Sequence, residues 1–117
     1  MNKELPKNIE AEKCLLGSMF WSRESLQRGC EEADKDIFYL DSHGKIFDAI
    51  KSLYLNDTPV DITSVTTYLI NINKIGEVGG VEYLNEVVNS VATGANIEYY
   101  INLVSEKWLK ILSIWKR

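Results

Sequence analysis

The chain is 117 residues long, with 45% hydrophobic and 26% charged residues, which are the proportions of an ordinary globular protein and exclude a disordered one. This length favours a single domain over residues 1–117. The formal net charge is −4, whereas proteins that hold nucleic acid by its phosphates usually present a basic face. We therefore expect at most weak DNA binding by the chain itself.

The cysteines and the apolar runs bear on the compartment. Cys14 and Cys30 are the only cysteines and do not have the CxxC spacing, so we expect reduced thiols and no disulfide framework. No apolar run approaches the ~18 residues of a membrane span. The N-terminus lacks the apolar core of a signal peptide. The sequence predicts a cytoplasmic protein with no membrane partner.

Helically spaced apolar residues predict four helices before residue 76. Candidate N-caps are Asn8, Ser22, Asp41 or Ser42, and Asp61. The helices are expected over about 9–20, 23–33, 43–55 and 62–72, with the apolar faces Ala11, Leu15 and Met19; Leu26, Cys30 and Ala33; Ile46, Phe47, Ile50, Leu53 and Tyr54; and Val65, Leu69 and Ile72. A strand is an alternative over 62–72, since that segment is rich in β-branched residues, but the spacing of its apolar residues favours a helix.

The last third of the chain carries two apolar stripes separated by a short break. Glycines at 76, 79 and 80 precede the first stripe, which is Val81, Leu84, Val88 and Val91. The second stripe has the a/d spacing of packed helices and consists of Ile97, Ile101, Val104, Trp108, Ile111 and Trp115. Two such stripes with a tight connection predict an αα-hairpin over 76–117, following a helical globule over 1–75. The predicted fold class is all-α.

The hairpin is also expected to mediate self-association. Two helices alone have a thin core, and large apolar patches that remain exposed usually mark interfaces. Aromatic residues often contribute much of the binding energy at such surfaces. The residues predicted at the self-association surface are Val81, Leu84, Val88, Tyr100, Ile101, Val104, Trp108, Ile111 and Trp115.

Few residues could support catalysis or bind a metal. The glycine cluster at 76–80 lacks the Gly-Lys-Ser/Thr ending of a phosphate-binding loop. His43 is the only histidine, and one histidine with two scattered cysteines does not make a convincing zinc site. We expect His43 to be a packing residue or a cap at a helix start. The acid pairs at 10/12, 31/32 and 34/36 are expected to be solvated, because residues one or two apart do not share a helix face. We expect no catalytic residue, metal or cofactor in this chain.

Five segments resemble the N-terminal domain of the bacterial replicative DNA helicases, the DnaB family. Residues 5–17 are similar to the opening P-x-x-I-E-A-E-x-x-(V/L)-L-G, 38–50 to F-Y-x₃-H-x-x-I-F-x-A-(I/M), 59–66 to P-V-D-(I/L)-x-T-V-T, 79–84 to G-G-x-x-Y-L, and 93–100 to the end of P-T-A-A-N-I-E-Y-Y. Each segment alone is weak evidence for the family, but five segments in the right order and at the right spacing are specific to it. Ala92, Gly94 and Gly44 depart from the proline, the alanine and the arginine or glutamine usual there.

The resemblance implies an assembly role. In such helicases six copies of this domain form a collar, commonly a trimer of dimers, in which the hairpins supply dimer contacts and to which the helicase-binding domain of a DnaG-type primase docks. On the family pattern, Glu10 and Tyr83 lie on the primase-facing side. We expect Glu10 to be exposed in a first helical turn and the Tyr83 ring to face outward with a free hydroxyl. A helicase loader is a further candidate partner.

The ATP, magnesium and DNA sites of this family belong to a RecA-like ATPase domain that is expected beyond Arg117. Two alternatives stay open. A free-standing regulator of the same fold, including a phage-encoded one, would bind helicase or primase and block their assembly, and a stop codon after Arg117 would favour it. A nucleic-acid-binding helical module would use Lys107, Lys110, Lys116 and Arg117, and the salt dependence of binding would decide.

Overall fold

The computed structural model describes the backbone of residues 5–105 and the side chains of residues 9–105. Six α-helices lie in this part of the chain: α1 (Leu5–Ser18), α2 (Arg23–Glu32), α3 (Asp41–Leu55), α4 (Ile62–Asn71), α5 (Gly80–Val88) and α6, which begins at residue 97 and is described to residue 105. Two 3-10 turns, Lys35–Ile37 and Gly76–Val78, precede α3 and α5. Residues 5–105 contain no strand. The all-α prediction is confirmed, and the strand alternative for 62–72 is wrong.

Two of the predicted caps form as expected. The side chain of Ser22 accepts a hydrogen bond from the backbone N–H of Ser25, and the Ser25 side chain bonds back to the Ser22 backbone. Asp61 and Ser64 form the same reciprocal pair at the start of α4. Each pair satisfies donors that would otherwise be left free at a helix start. These caps fix where α2 and α4 begin.

The starts of α1 and α3 differ from the sequence prediction. Helix α1 begins at Leu5, so Pro6 lies in its first turn, where a missing N–H does no harm, and Asn8 is not a cap. Glu10 is therefore in the second turn, not the first. Helix α3 has Leu40 at its N-cap position with no side-chain hydrogen bond. Asp41 is its first residue and pairs with Lys45 instead.

Buried apolar residues from all six helices form one core. Helix α1 packs against α2, α3 and α5, while α4 packs against α3 and α5. The predicted faces are buried for α1 and α2, and for α3 apart from the partly exposed Tyr54. On α4, Val65 and Leu69 are buried, but Ile72 is exposed because it is the C-cap residue, beyond the end of the helix.

Helix α6 sends one face into this core. Ile97, Ile101 and Val104 are buried, so α6 completes the core of the same chain. The start of α6 lies beside α2, where Arg28 pairs with Glu98. Because α6 is described only to residue 105, the division into a globule over 1–75 and a hairpin over 76–117 stays a prediction.

Candidate functional site

Three polar side chains from three helices are hydrogen-bonded to one another. Glu12 on α1 is 1% exposed and His43 on α3 is 0% exposed. Glu12 Oε1 lies 2.7 Å from His43 Nδ1, and His43 Nε2 lies 2.6 Å from the hydroxyl of Tyr83 on α5. The His43 and Tyr83 rings are also stacked, with centroids 5.8 Å apart. This network of Glu12, His43 and Tyr83 joins α1, α3 and α5.

The Glu12 carboxylate has further donors from the segment before α3. The backbone N–H groups of Tyr39 and Leu40 donate to Oε2 and Oε1. A buried carboxylate is tolerated only when its oxygens are hydrogen-bonded in this way. The prediction that both acids of the 10/12 pair are solvated is therefore wrong for Glu12, although Glu10 is exposed. The other predicted acids, at 31, 32, 34 and 36, are exposed as expected.

Tyr83 is positioned by the glycine break before α5. Gly79 and Gly80 have φ angles of 100° and 76°, in the left-handed region that favours glycine. A Cβ atom at position 79 would lie 2.8 Å from the Tyr83 Cβ, so the chain can turn here only without a side chain. Tyr83 is partly buried, and this burial raises the pKa of its hydroxyl. The expectation of a free hydroxyl is wrong, because that hydroxyl is bonded to His43.

Next to Tyr83, three charged side chains bridge α1 and α5. The Lys13 ammonium lies 2.9 Å from a carboxylate oxygen of Glu86 and 3.3 Å from one of Glu10. The hydrogen bond with Glu86, followed by that with Glu10, raises the pKa of Lys13 despite its burial. Both acids are well exposed, whereas Lys13 is mostly covered. We call Glu10, Lys13, Tyr83 and Glu86 the α1/α5 surface.

A close helix contact supports this surface. A Cβ atom added at Gly17 would lie 2.3 Å from the carbonyl oxygen of Val87 and 2.7 Å from the hydroxyl of Ser90. Only glycine lets the end of α1 approach α5 this closely. The glycine of the family's opening segment thus has a packing reason in this chain.

The residues predicted at the self-association surface have several different environments. Leu84, Ile101 and Val104 are buried in the core of the single chain, Val88 and Tyr100 are partly buried, Val81 is exposed, and Trp108, Ile111 and Trp115 lie outside the described residues. The first three are therefore core positions and not surface positions. Tyr99 and Leu103, which the sequence prediction did not include, are 62% and 38% exposed on α6. Their spacing of four residues on a helix is the signal that could have found them.

A cleft of about 500 Å³ lies between α2 and the loop that leads to α6. Trp21, Arg28 and Glu98 are among its lining residues, and Arg28 and Glu98 form an ion pair. Gly94 also lines the cleft, and a Cβ atom there would come within 3.0 Å of Ser25, Trp21 and Ser18 atoms. The glycine that replaces the family's usual alanine therefore allows this close loop packing.

Two general properties concern the described residues only. Within them, no three His, Cys, Asp or Glu side chains are grouped so that they could hold a metal ion. None of the helices in the same range combines the length and the apolar character needed to span a membrane.

Comparisons with known proteins agree with this architecture. The chain matches the DnaB-like helicase N terminal domain family over residues 4–106. It is 45% identical over 102 residues to the replicative DNA helicase DnaC of Bacillus subtilis, and 39% identical over 102 residues to the replicative DNA helicase DnaB of Geobacillus stearothermophilus. Each alignment covers 87% of this chain but 22% of the relative, so the chain spans less than a quarter of their length.

A solved structure has the same fold. The crystal structure of the N-terminal domain of DnaB helicase from Mycobacterium tuberculosis superposes with a TM-score of 0.80 and 33% sequence identity. The match covers 84% of this chain and 68% of that one. Since the family match also takes in most of the chain, the chain belongs to the DnaB-like helicase N-terminal domain family.

Proposed function

We propose that the chain is the N-terminal assembly domain of a replicative DNA helicase, which holds helicase copies together and docks a DnaG-type primase. The family match over residues 4–106 carries this proposal. The domain itself would neither hydrolyse ATP nor unwind DNA. ATP, magnesium and DNA would be bound by the rest of such a helicase, and a loader would be a further partner of the assembled ring.

The α1/α5 surface is the proposed docking site for the primase. Glu10 and Glu86 present exposed carboxylates on either side of Lys13, and Tyr83 adds a partly exposed aromatic ring beside them. Carboxylates are suited to Lys or Arg side chains of a partner, with which they form charge-assisted hydrogen bonds. A basic face on the helicase-binding domain of the primase would complement this surface.

Calorimetric titration of the chain with that primase domain tests the docking. The double variant Glu10→Ala with Tyr83→Phe should bind about a hundredfold more weakly, since it loses two hydrogen bonds to charged groups of the partner. Phenylalanine keeps the ring that packs against His43, so helicity should be unchanged. Glu24→Ala, at an exposed acid on α2, is the matched control and should bind like the parent. An unchanged affinity of the double variant, or no binding by the parent, would overturn the docking site.

The outer face of α6 is the proposed self-association surface. Tyr99 and Leu103 are exposed there, while Val81 is exposed on α5. Leu103→Glu should weaken self-association without loss of helicity, because it places a charge in an apolar contact. Leu55→Glu, at a 68% exposed residue on α3, serves as the control. Sedimentation of the parent as a strict monomer at high concentration would contradict this half of the proposal.

A further inference from the structure

We propose that the buried pair of Glu12 and His43 fixes the direction of the Tyr83 hydrogen bond, so that Tyr83 offers a hydrogen-bond acceptor, and not a donor, at the α1/α5 surface. Glu12 and His43 are positioning residues in this scheme, and Tyr83 is the residue that meets the partner. The partner in question is the primase of the proposed function, on which this inference rests, while the direction of the hydrogen bond rests on the buried network alone.

The first step concerns the proton between Glu12 and His43. Both carboxylate oxygens of Glu12 receive backbone N–H groups, from Tyr39 and Leu40. An ionised carboxylate has no proton to give and can only accept. The 2.7 Å contact from Oε1 to His43 Nδ1 therefore requires the proton on Nδ1. The imidazole is held as the Nδ1–H tautomer by a partner that is itself 1% exposed.

The second step concerns the other ring nitrogen. A neutral imidazole carries one N–H, so when Nδ1 is protonated, Nε2 presents a lone pair. The only partner of Nε2 among the described side chains is the Tyr83 hydroxyl, 2.6 Å away. The hydroxyl proton must then point inward, to Nε2. The oxygen of Tyr83 keeps lone pairs that can accept a hydrogen bond from outside the chain.

The third step concerns the rest of the α1/α5 surface. Glu10 and Glu86 are exposed and can only accept, and Lys13 is mostly covered and already bonded to both of them. With the Tyr83 proton directed inward, the groups still available on this surface are acceptors. Such a surface selects a partner with ammonium or guanidinium groups and disfavours one with carboxylates. The buried network thus contributes to specificity at a distance from the contact.

Nitrogen NMR of the histidine ring tests the direction of the hydrogen bond. Since His43 is the only histidine in the chain, its two ring nitrogens give the only imidazole signals in the untagged protein. We expect a single Nδ1–H tautomer at neutral pH and a shift of the Nε2 signal in Tyr83→Phe, with the Nδ1–H signal retained. An Nε2–H tautomer, or protons on both nitrogens, would overturn the inference.

Binding of the primase domain tests the consequence. Tyr83→Phe should lower the affinity of the folded chain about tenfold, as expected for a lost hydrogen bond to a charged group. His43→Asn keeps an N–H for Glu12 but is too short to reach Tyr83, so it should weaken binding several-fold. The double variant His43→Asn with Tyr83→Phe should bind no more weakly than Tyr83→Phe alone, because both substitutions act through the same Tyr83 oxygen.

These experiments distinguish a failure of the proposed primase docking from a failure of the acceptor role of Tyr83. Independent, multiplying effects of the two substitutions would overturn the positioning role, as would full affinity in Tyr83→Phe. If the parent shows the Nδ1–H tautomer but does not bind the primase domain, the proposed docking fails, and so does the assignment of the primase as the partner of the α1/α5 surface. The direction of the hydrogen bond then still stands. If the parent binds but shows the Nε2–H tautomer, the docking stands and the acceptor role of Tyr83 fails.

Discussion

Substitution by alanine should greatly reduce the stability of the fold at Glu12 and leave it almost unchanged at Glu10. In Glu12→Ala, the N–H groups of Tyr39 and Leu40 and the Nδ1–H of His43 lose their acceptor inside the protein. A buried donor left without an acceptor costs about 1–3 kcal/mol, so leaving all three unsatisfied should cost at least about 3–5 kcal/mol of folding free energy. That is a large part of the ~5–15 kcal/mol that stabilises an ordinary domain. Glu10→Ala removes only an exposed contact with Lys13 and should change stability by less than about 0.5 kcal/mol.

Urea unfolding followed by circular dichroism measures both variants. A loss of about 3 kcal/mol lowers the unfolding midpoint by at least ~1 M urea for ordinary values of the urea dependence. If the unfolding free energy of the parent is small, Glu12→Ala will be unfolded and will lack helical signal even without urea. That outcome also supports a large loss of stability. Glu12→Gln should fall in between, since its amide oxygen can still accept. Equal midpoints for Glu10→Ala and Glu12→Ala would refute the burial of Glu12 and the network built on it.

Three other substitutions probe the packing, a helix cap and a thiol. Gly17→Ala should destabilise by about 1–3 kcal/mol in thermal melts, because its Cβ atom would lie 2.3 Å from a Val87 oxygen; Gly76→Ala, with nothing within 4 Å of its Cβ atom, should be nearly neutral. Asp61→Ala should cost about 1 kcal/mol through loss of the α4 cap, and an unchanged melting temperature would contradict that role. Burial raises the pKa of Cys30 to about 11, so Cys30 should react with a thiol reagent at pH 8 far more slowly than Cys14. In Cys14→Ser, Cys30 is the single remaining thiol, and rapid labelling of this variant would contradict the burial of Cys30.

The sequence was sufficient for the helices and for two of their caps. Ser22 and Asp61 are each followed three residues later by a serine that completes a reciprocal cap. That signal is local, so it can be read from the chain without knowledge of the fold. The predicted start of α1 after Asn8 is too late, because the helix begins at Leu5 and has Pro6 in its first turn, a position that proline tolerates.

The candidate site was harder to predict because it depends on distant parts of the chain. Nothing near Glu12 in sequence indicates that it is buried, since its donors come from the segment before α3 and from His43. Helical spacing has a similar limit in α6. It identified Ile101 and Val104 as one face, but it could not tell whether that face meets another copy or the core of the same chain. Spacing defines a surface and not what covers it.

The network of Glu12, His43 and Tyr83 also bears on how long the folded state persists. Its members are 31 and 40 residues apart, so it forms only after α1, α3 and α5 have come together and excluded water. We expect these contacts to be absent from the transition state of folding, so that their energy slows unfolding without speeding folding. A loss of about 4 kcal/mol in Glu12→Ala should raise the unfolding rate roughly a thousandfold while folding remains nearly as fast. Three hydrogen-bonded side chains would in that case set the lifetime of the domain and its resistance to proteases.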